Sequence, residues 1–304
     1  MIRKAAIDIG TNTTRLLIAD LAHDGTFTEI FCRRITTRLG EGLCNHNHLN
    51  DTAVQRTFNA LIIYSKDIKK YKCSNVRAVA TSAVREADNG EEFVRNAKRE
   101  TGMHIEVINQ EEEARLTTLG VLSGLREKPE TAIIFDIGGG STEFICIDTH
   151  ANPTKIIGLS MGIVHLSEKH IKSDPVNQKE LNTLRVEVKK ELAKVKKEIG
   201  CIRDLTLIGT AGTSTQFAAL DLNLFPYDAV AVNGHKMSFS VIENIFAELK
   251  SKTTAERKTI RAVEHGREDL IIAGGVILLE AMELFNAKEL IISDFGLIEG
   301  IIIK

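Results

Sequence analysis

The chain has 304 residues, of which 43% are hydrophobic, enough to fill the cores of two domains of ordinary size. Its 39 lysine and arginine residues nearly cancel 41 aspartate and glutamate residues, leaving a formal net charge of -2. This balance excludes a whole-molecule field for nucleic acid or another polyanion, so phosphate binding must be local. No apolar segment approaches the roughly 18 residues of a membrane span, and no apolar signal region follows Met1. We therefore expect a cytoplasmic protein with no membrane partner.

The cysteines are scattered without a CxxC pair, and their odd number fits reduced thiols in a cytosol. We expect them to be structural and to pack as small apolar residues; they are Cys32, Cys44, Cys73, Cys146 and Cys201. The nine histidines show no ligand spacing, so no zinc site is predicted.

Two segments of the chain repeat the same pattern of apolar strand, Asp-x-Gly turn and second strand. The first is Ile-Asp-Ile-Gly-Thr-Asn-Thr-Thr at 7–14, and Phe-Asp-Ile-Gly-Gly-Gly-Ser-Thr follows it after 128 residues at 135–142. Each predicts a β-hairpin whose glycines permit positive φ and close approach of the backbone to a ligand. One such hairpin is a weak signal, but two at half-chain spacing predict an internal duplication.

Strand-like and helical runs alternate after each hairpin. In the first half we predict helices at 50–72, with Asn50 as N-cap, near 91–100 and from Glu111, and strands at 76–80 and 104–108. In the second half we predict helices at 177–198, 239–249 and 269–285, and strands at 205–209 and 290–293. The lysine-rich run at 189–198 is typical of an amphipathic helix with a solvated face. The pattern predicts two α/β domains, 1–124 and 125–304, with a cleft between them and a tail at about 297–304 that packs back on the first.

Six stretches carry a family resemblance: 6–13, 38–43, 80–87, 111–116, 135–143 and 208–213. Together they resemble the exopolyphosphatase and guanosine pentaphosphate phosphohydrolase (Ppx/GppA) family, in its short form without a C-terminal HD-type domain. The Glu-Glu-Ala-Arg run at 112–115 is specific to this branch of the actin-like superfamily. The resemblance implies two duplicated actin-like (ribonuclease H-like) ATPase domains with an interdomain cleft, and a possible homodimer.

The activity implied by the resemblance is release of terminal phosphate from inorganic polyphosphate, conversion of pppGpp to ppGpp, or both. An ATP-using kinase or ATPase of the same superfamily and a non-catalytic polyphosphate or alarmone sensor are the alternatives. No base-recognition motif is present in the sequence, so polyphosphate and the guanosine penta- and tetraphosphates all stay candidate ligands.

Three glycine-rich turns are predicted to bind phosphate, because they can aim backbone N–H groups and hydroxyls at its oxygens. The third turn precedes a predicted helix, whose N-terminus favours anions. The alternative is that the glycines only make tight turns. The predicted phosphate-binding residues are Gly10, Thr11, Asn12 and Thr13; Gly138, Gly139, Gly140 and Ser141; and Gly209, Thr210, Gly212 and Thr213.

Asp8, Asp136 and Glu143 are the predicted ligands of Mg²⁺ (or Mn²⁺), which prefers a few carboxylates with water and substrate phosphate. Glu143 lies two residues after Ser141, so both side chains share one strand face. The alternative for Glu143 is an exposed strand glutamate.

The catalytic pair is implied by the resemblance. Glu113 matches the family's catalytic base, and Arg85 matches an arginine that contacts phosphate. Alternatively, Glu113 only stabilises a helix dipole, as we expect of Glu111 and Glu112, and Arg85 only pairs with Glu86 or Asp88 at the surface.

The chain departs from the family pattern at four places. Asn109-Gln110 replaces Ser-Gly, and His165, Phe295 and Ile298 stand where arginine is common. Less positive charge predicts distributive cutting that favours short polyphosphates or pppGpp.

Overall fold

The computed structural model describes residues 1–148, 152–200 and 205–304. They form two compact units, which are Met1–Ser123 with Gly296–Lys304 (the first unit) and Gly124–Phe295 (the second unit). Within these described ranges, no helix has both the length and the apolar character that crossing a bilayer requires.

Each unit begins with three strands and two helices, and the second unit contains an additional strand and additional helices. The first unit has strands β1 (Ile2–Ile9), β2 (Thr13–Leu21), β3 (Phe27–Thr36), β4 (Asn75–Ala80) and β5 (Ile105–Val107), and helices α1 (Leu43–His46), α2 (Asp51–Lys70), α3 (Ser82–Glu86), α4 (Gly90–Thr101) and α5 (Gln110–Gly124). The second unit has strands β6 (Ala132–Ile137), β7 (Thr142–Ile147), β8 (Pro153–Leu159), β9 (Thr206–Thr210), β10 (Lys236–Ser238) and β11 (Glu289–Ile292), and helices α6 (Ile163–His170), α7 (Gln178–Ile199), α8 (Ala211–Asp221), α9 (Ala229–Val232), α10 (Phe239–Ser251), α11 (Thr254–Thr259) and α12 (Ile271–Leu284). Helix α13 (Leu297–Ile303) returns to the first unit and packs on β1 and β2.

The two sheets share one topology. The first has the order β3-β2-β1-β4-β5, and the second has the order β10-β11-β9-β6-β7-β8. Read from β8, the second sheet repeats the order of the first and adds β10 as an antiparallel edge strand. In both sheets the first two strands of the unit form an antiparallel hairpin. The first strand of that hairpin also pairs in parallel with the fourth strand of its unit, which is β4 in the first unit and β9 in the second. The prediction of a duplicated α/β fold is confirmed.

Alternate residues of β1 face two different cores. Ala5, Ile7 and Ile9 pack in the cluster that includes α2, whereas Ala6 packs with α13. Because side chains alternate along a strand, Asp8 lies on the α13 face. The C-terminal helix therefore covers the sheet face that carries the first predicted carboxylate.

The predicted helices form where the sequence provides caps and apolar stripes. The side chain of Asn50 accepts a hydrogen bond from the N–H of Ala53 at 2.8 Å, as an N-cap does. Helix α7 buries Leu184, Val188 and Leu192 at helical spacing and exposes the lysines between them. The prediction of an amphipathic helix with a solvated face is confirmed.

The glycines of the hairpin turns serve close approach of the backbone, and the expectation of positive φ is wrong for them. Positive φ occurs at six other glycines among the described residues. A Cβ on Gly10 would lie 3.0 Å from the carbonyl oxygen of Thr13, and one on Gly138 would lie 3.0 Å from that of Ser141. Both turns therefore need a small residue because the backbone folds back on itself.

The cysteines are less buried than the sequence predicted. Cys146 is buried in β7, but Cys73 is half-buried and both Cys32 and Cys44 are exposed. Cys201 lies outside the described residues. Packing as small apolar residues is thus wrong for Cys32 and Cys44.

Candidate functional site

Asp8 and Arg15 lie opposite each other on β1 and β2. The Arg15 guanidinium is 3.5 Å from the carboxylate of Glu299 on α13. Asp8 Oδ1 is buried and has no hydrogen-bond partner in the described part of the chain. Burial raises the pKa of Asp8 to about 7, although the charge of Arg15 opposes this shift. The first hairpin therefore holds a carboxyl group that keeps its proton to a higher pH than an ordinary aspartate does.

The first turn is tied to the helix that carries Arg85. The backbone N–H of Gly10 donates to the carbonyl of Thr13 at 3.1 Å, and the Thr11 hydroxyl lies 2.8 Å from that of Ser82, the first residue of α3. Thr11 and Asn12 are both buried. This link fixes α3 relative to the end of β1.

Arg85 and Glu113 form a buried ion pair between α3 and α5. Arg85 Nη1 donates to Glu113 Oε2 at 2.8 Å and to the carbonyl of Ile108 at 3.0 Å. This pairing corrects the alternative of a surface ion pair with Glu86 or Asp88. Arg85 Nη2 is buried without a hydrogen-bond partner among residues 1–148, 152–200 and 205–304.

The Glu113 side chain is poorly accessible to solvent, since the residue is only 9% exposed. Burial raises the pKa of Glu113, and the neighbouring Arg85 opposes that shift. The charge of Glu113 also raises the pKa of Asp8, so the two carboxyl groups interact. Glu113 is therefore not a solvated first-turn glutamate.

Three predicted residues of the second unit lie in one row across adjacent strands. Asp136 on β6 is opposite Glu143 on β7 and pairs on its other side with Thr210 on β9. Paired residues point to the same face of a sheet, with neighbouring strands about 4.8 Å apart. Glu143 is 3% exposed, so the alternative of an exposed strand glutamate is wrong.

Helix α6 packs against the turn between β6 and β7. The N–H of Gly138 donates to the carbonyl of Ser141 at 2.9 Å, the counterpart of the hydrogen bond in the first turn. The N–H groups of Ile163 and Val164 donate to the carbonyls of Gly138 and Gly139 at 3.1 and 2.9 Å. The turn is therefore held in one conformation, with Ser141 buried beside it.

The third predicted turn runs from the end of β9 into α8, as expected. Thr210 is the N-cap residue of α8, and its hydroxyl donates to the carbonyl of Phe295 at 2.9 Å. Ala211 has φ of 61°, which is unfavourable for a residue with a Cβ. A Cβ on Gly212 would lie 1.9 Å from Arg267 Nη2, so the guanidinium lies directly over the first turn of α8. A cation and a helix N-terminus thus meet at this loop.

Residues 17–304 match the model of the Ppx/GppA phosphatase family. The chain belongs to this family. Over 99% of its length it is 32% identical to a bifunctional 3-dehydroquinate synthase/phosphatase of Fusobacterium nucleatum subsp. nucleatum, and it spans 46% of that relative. It is 30% identical to exopolyphosphatase 2 of Mycobacterium tuberculosis, with 98% of this chain and 97% of the relative covered. The crystal structure of the Aquifex aeolicus family member has 37% identity, covers 99% of this chain and 96% of its own, and gives a TM-score of 0.82.

The second hairpin of this family member fits a divalent cation. Among the described residues no group of three or more histidine, cysteine, aspartate or glutamate side chains could hold a metal ion. Mg²⁺, however, commonly binds one or two carboxylates and completes its shell with water and phosphate. Asp136 and Glu143, opposite each other on one face, supply that donor set. Asp8 offers a buried carboxylate oxygen, but the described residues contain no three-carboxylate cluster around it.

Three charged residues at these sites were not predicted from the sequence. They are Arg15, Glu299 and Arg267. Arg15 had a signal, because the 128-residue repeat aligns it with Glu143, the charged residue of the second hairpin. Arg267 had none, since a loop before α12 brings it to α8.

The three residues that we expect to stand in place of arginine have different surroundings. Ile298 is fully buried in the core between α13 and the first sheet. The ring of Phe295 packs against Gly124, because a Cβ on Gly124 would lie only 2.7 Å from the ring. His165 Nε2 is buried without a hydrogen-bond partner in the described ranges, and burial lowers the pKa of His165.

Proposed function

We propose that this chain releases the terminal phosphate from inorganic polyphosphate, from pppGpp, or from both, by metal-assisted attack of water. Membership of the Ppx/GppA phosphatase family supports a phosphohydrolase. The observation that carries the mechanism is the buried ion pair of Arg85 with Glu113 at 2.8 Å. It places a carboxylate of raised pKa beside a guanidinium that can bind a phosphate oxygen.

In the proposed reaction Glu113 is the general base. Its carboxylate accepts a proton from water while the water oxygen forms a bond to the terminal phosphorus and the bridging P–O bond breaks. The shorter phosphate chain keeps the bridging oxygen. Because burial raises the pKa of Glu113, this carboxylate is a stronger base than a solvated glutamate.

Phosphate oxygens need positive partners that do not reorganise during the reaction. Arg85 is held by Glu113 and by the carbonyl of Ile108, and its buried Nη2 has no hydrogen-bond partner in the described part of the chain. We propose that Nη2 donates to substrate. Asp136 and Glu143 would hold Mg²⁺ or Mn²⁺, which when bound neutralises phosphate oxygens.

A phosphate-release assay with polyphosphate, pppGpp and ATP side by side tests this function. We expect release from polyphosphate or pppGpp, with activity abolished by excess chelator. Release from ATP alone would identify a kinase-like ATPase, and release from none of the three would leave a binding protein.

A further inference from the structure

Two aromatic side chains of the second unit are exposed, two residues apart, in the loop between α8 and α9. The chain has 12 phenylalanines, three tyrosines and no tryptophan. In the described ranges only Phe225, at 67%, and Tyr227, at 45%, are exposed; every other aromatic side chain is buried or half-buried. Single exposed apolar residues are ordinary, but two exposed rings two residues apart form a patch.

Hydrogen bonds and a cation hold this loop in place. The hydroxyl of Tyr227 donates to the carboxylate of Asp294. The side chain of Asn233 accepts from the N–H of Asp294 at 3.0 Å and donates to the carbonyl of Gly124 at 2.7 Å. The guanidinium of Arg261 lies 5.8 Å from the centre of the Phe225 ring. The Tyr227 hydroxyl is therefore tied to the residue that follows β11, and the Phe225 ring lies beside a guanidinium, before any ligand binds.

The anchor of Tyr227 lies at the same sheet edge as the predicted phosphate and metal residues. Asp294 follows β11, where Ile292 pairs with Gly209. The next residue of β9 is Thr210, which pairs with Asp136. Strand β11 is two strands from β6, which corresponds to about 10 Å.

The segment from Arg261 to Arg267 connects the patch with the phosphate turn along α8. Arg267 lies over Gly212 in the first turn of α8. One turn further along, the side chain of Gln216 accepts from the N–H of Glu264 at 2.8 Å and donates to the carbonyl of Ala262. Arg261 then reaches Phe225. A guanidinium therefore lies at each end, one at a helix N-terminus and one at an exposed ring.

We propose that Phe225 and Tyr227 form a stacking subsite for the base of a nucleoside polyphosphate, for which pppGpp is the probe, whose phosphates bind at the Thr210–Gly212 turn. The proposal rests on the proposed function and assigns it a substrate with a base. Every nucleobase has a π-face that stacks on aromatic rings, and arginine adds a cation–π contribution. Inorganic polyphosphate has no ring, so it gains nothing from these side chains.

The test compares kinetics on pppGpp and tripolyphosphate for wild type, Phe225→Ala and Phe225→Tyr. Loss of base stacking is expected to raise the KM for pppGpp about 5- to 150-fold in Phe225→Ala, which corresponds to about 1 to 3 kcal/mol. Phe225→Tyr keeps a ring and should restore the wild-type KM. The KM for tripolyphosphate should change less than about twofold. Val230→Ala, an exposed apolar residue of the same region, is the matched control and should change neither.

Equilibrium binding of ppGpp separates this proposal from the hydrolase proposal. If wild type binds ppGpp and Phe225→Ala loses that binding while neither substrate is hydrolysed, the subsite stands and the hydrolase fails. If wild type hydrolyses tripolyphosphate but Phe225→Ala leaves ppGpp binding unchanged, the subsite fails and the hydrolase stands. A change of sedimentation from dimer to monomer in Phe225→Ala would assign the patch to contact between copies and overturn the proposal.

Discussion

Replacement of Glu113 by glutamine separates catalysis from stability. The glutamine keeps a side-chain oxygen that can accept the hydrogen bond from Arg85 Nη1, which is 2.8 Å long in the wild type. It cannot act as a base, because its amide does not accept a proton at neutral pH. Loss of a general base costs about 10² to 10⁴ in rate, which corresponds to about 2.7 to 5.4 kcal/mol of barrier. We expect kcat to fall by this factor and KM to stay near wild type, because the base acts in the chemical step.

Stability should respond in the opposite direction. The raised pKa of Glu113 means that the folded state binds the proton more tightly than the unfolded state. Above the unfolded pKa the ionised carboxylate therefore costs stability, despite the attraction of Arg85. Glu113→Gln removes that cost at pH 7 and keeps an acceptor for Arg85. We expect its free energy of unfolding, measured with urea, to equal or exceed that of wild type.

Glu112→Gln is the matched control, one residue away on α5. Glu112 pairs with Arg77 at 3.4 Å and with Lys304, outside the Arg85 pair. Its loss should leave kcat near wild type and lower stability by at most about 1 kcal/mol. Wild-type turnover in Glu113→Gln would refute the assignment of the base, and unfolding of that variant would show that the ion pair is structural.

Three further changes probe the metal, the buried carboxyl and the third turn. Asp136→Asn should raise the Mg²⁺ concentration needed for half-maximal rate, seen in a metal titration of phosphate release; an unchanged titration curve would remove Asp136 as a ligand. In chelator, the unfolded state ionises Asp8 near pH 4, whereas the folded state holds its proton to about pH 7. The unfolding free energy of wild type, minus that of Asp8→Asn, should therefore fall by up to about 4 kcal/mol as the pH rises between these two pKa values, and it should be constant at higher pH. A difference that does not change with pH would contradict the argument. Gly212→Ala displaces the Arg267 guanidinium, because the added Cβ would lie 1.9 Å from it. The KM for the hydrolysed substrate should therefore rise severalfold, while the thermal midpoint of unfolding stays unchanged. An unchanged KM would show that Arg267 does not bind phosphate.

Much of the fold was available from the sequence because its signals are local or repeated. Apolar strands around two Asp-x-Gly turns predicted both hairpins, and the 128-residue spacing predicted the duplication. Asn50 predicted the start of α2, because the side-chain oxygen of an N-cap residue accepts a hydrogen bond from a backbone N–H only two or three residues further along the chain. Asp136 and Glu143 were both predicted in the second hairpin, and the pairing that places them opposite each other is also a short-range property.

The sequence did not identify the partners of the charged residues, because they come from distant segments. Arg85 is 28 residues from Glu113, and pairing with the local residues Glu86 or Asp88 was also compatible with the sequence. Only the tertiary fold, which brings Arg85 on α3 within 2.8 Å of Glu113 on α5, selects the buried carboxylate. Burial in turn sets the direction of its pKa. In the same way the sequence determined that Phe225 and Tyr227 are present, but not that they are exposed beside Asp294 and Arg261. Burial and charge proximity depend on the whole fold, and they decide what each side chain can do.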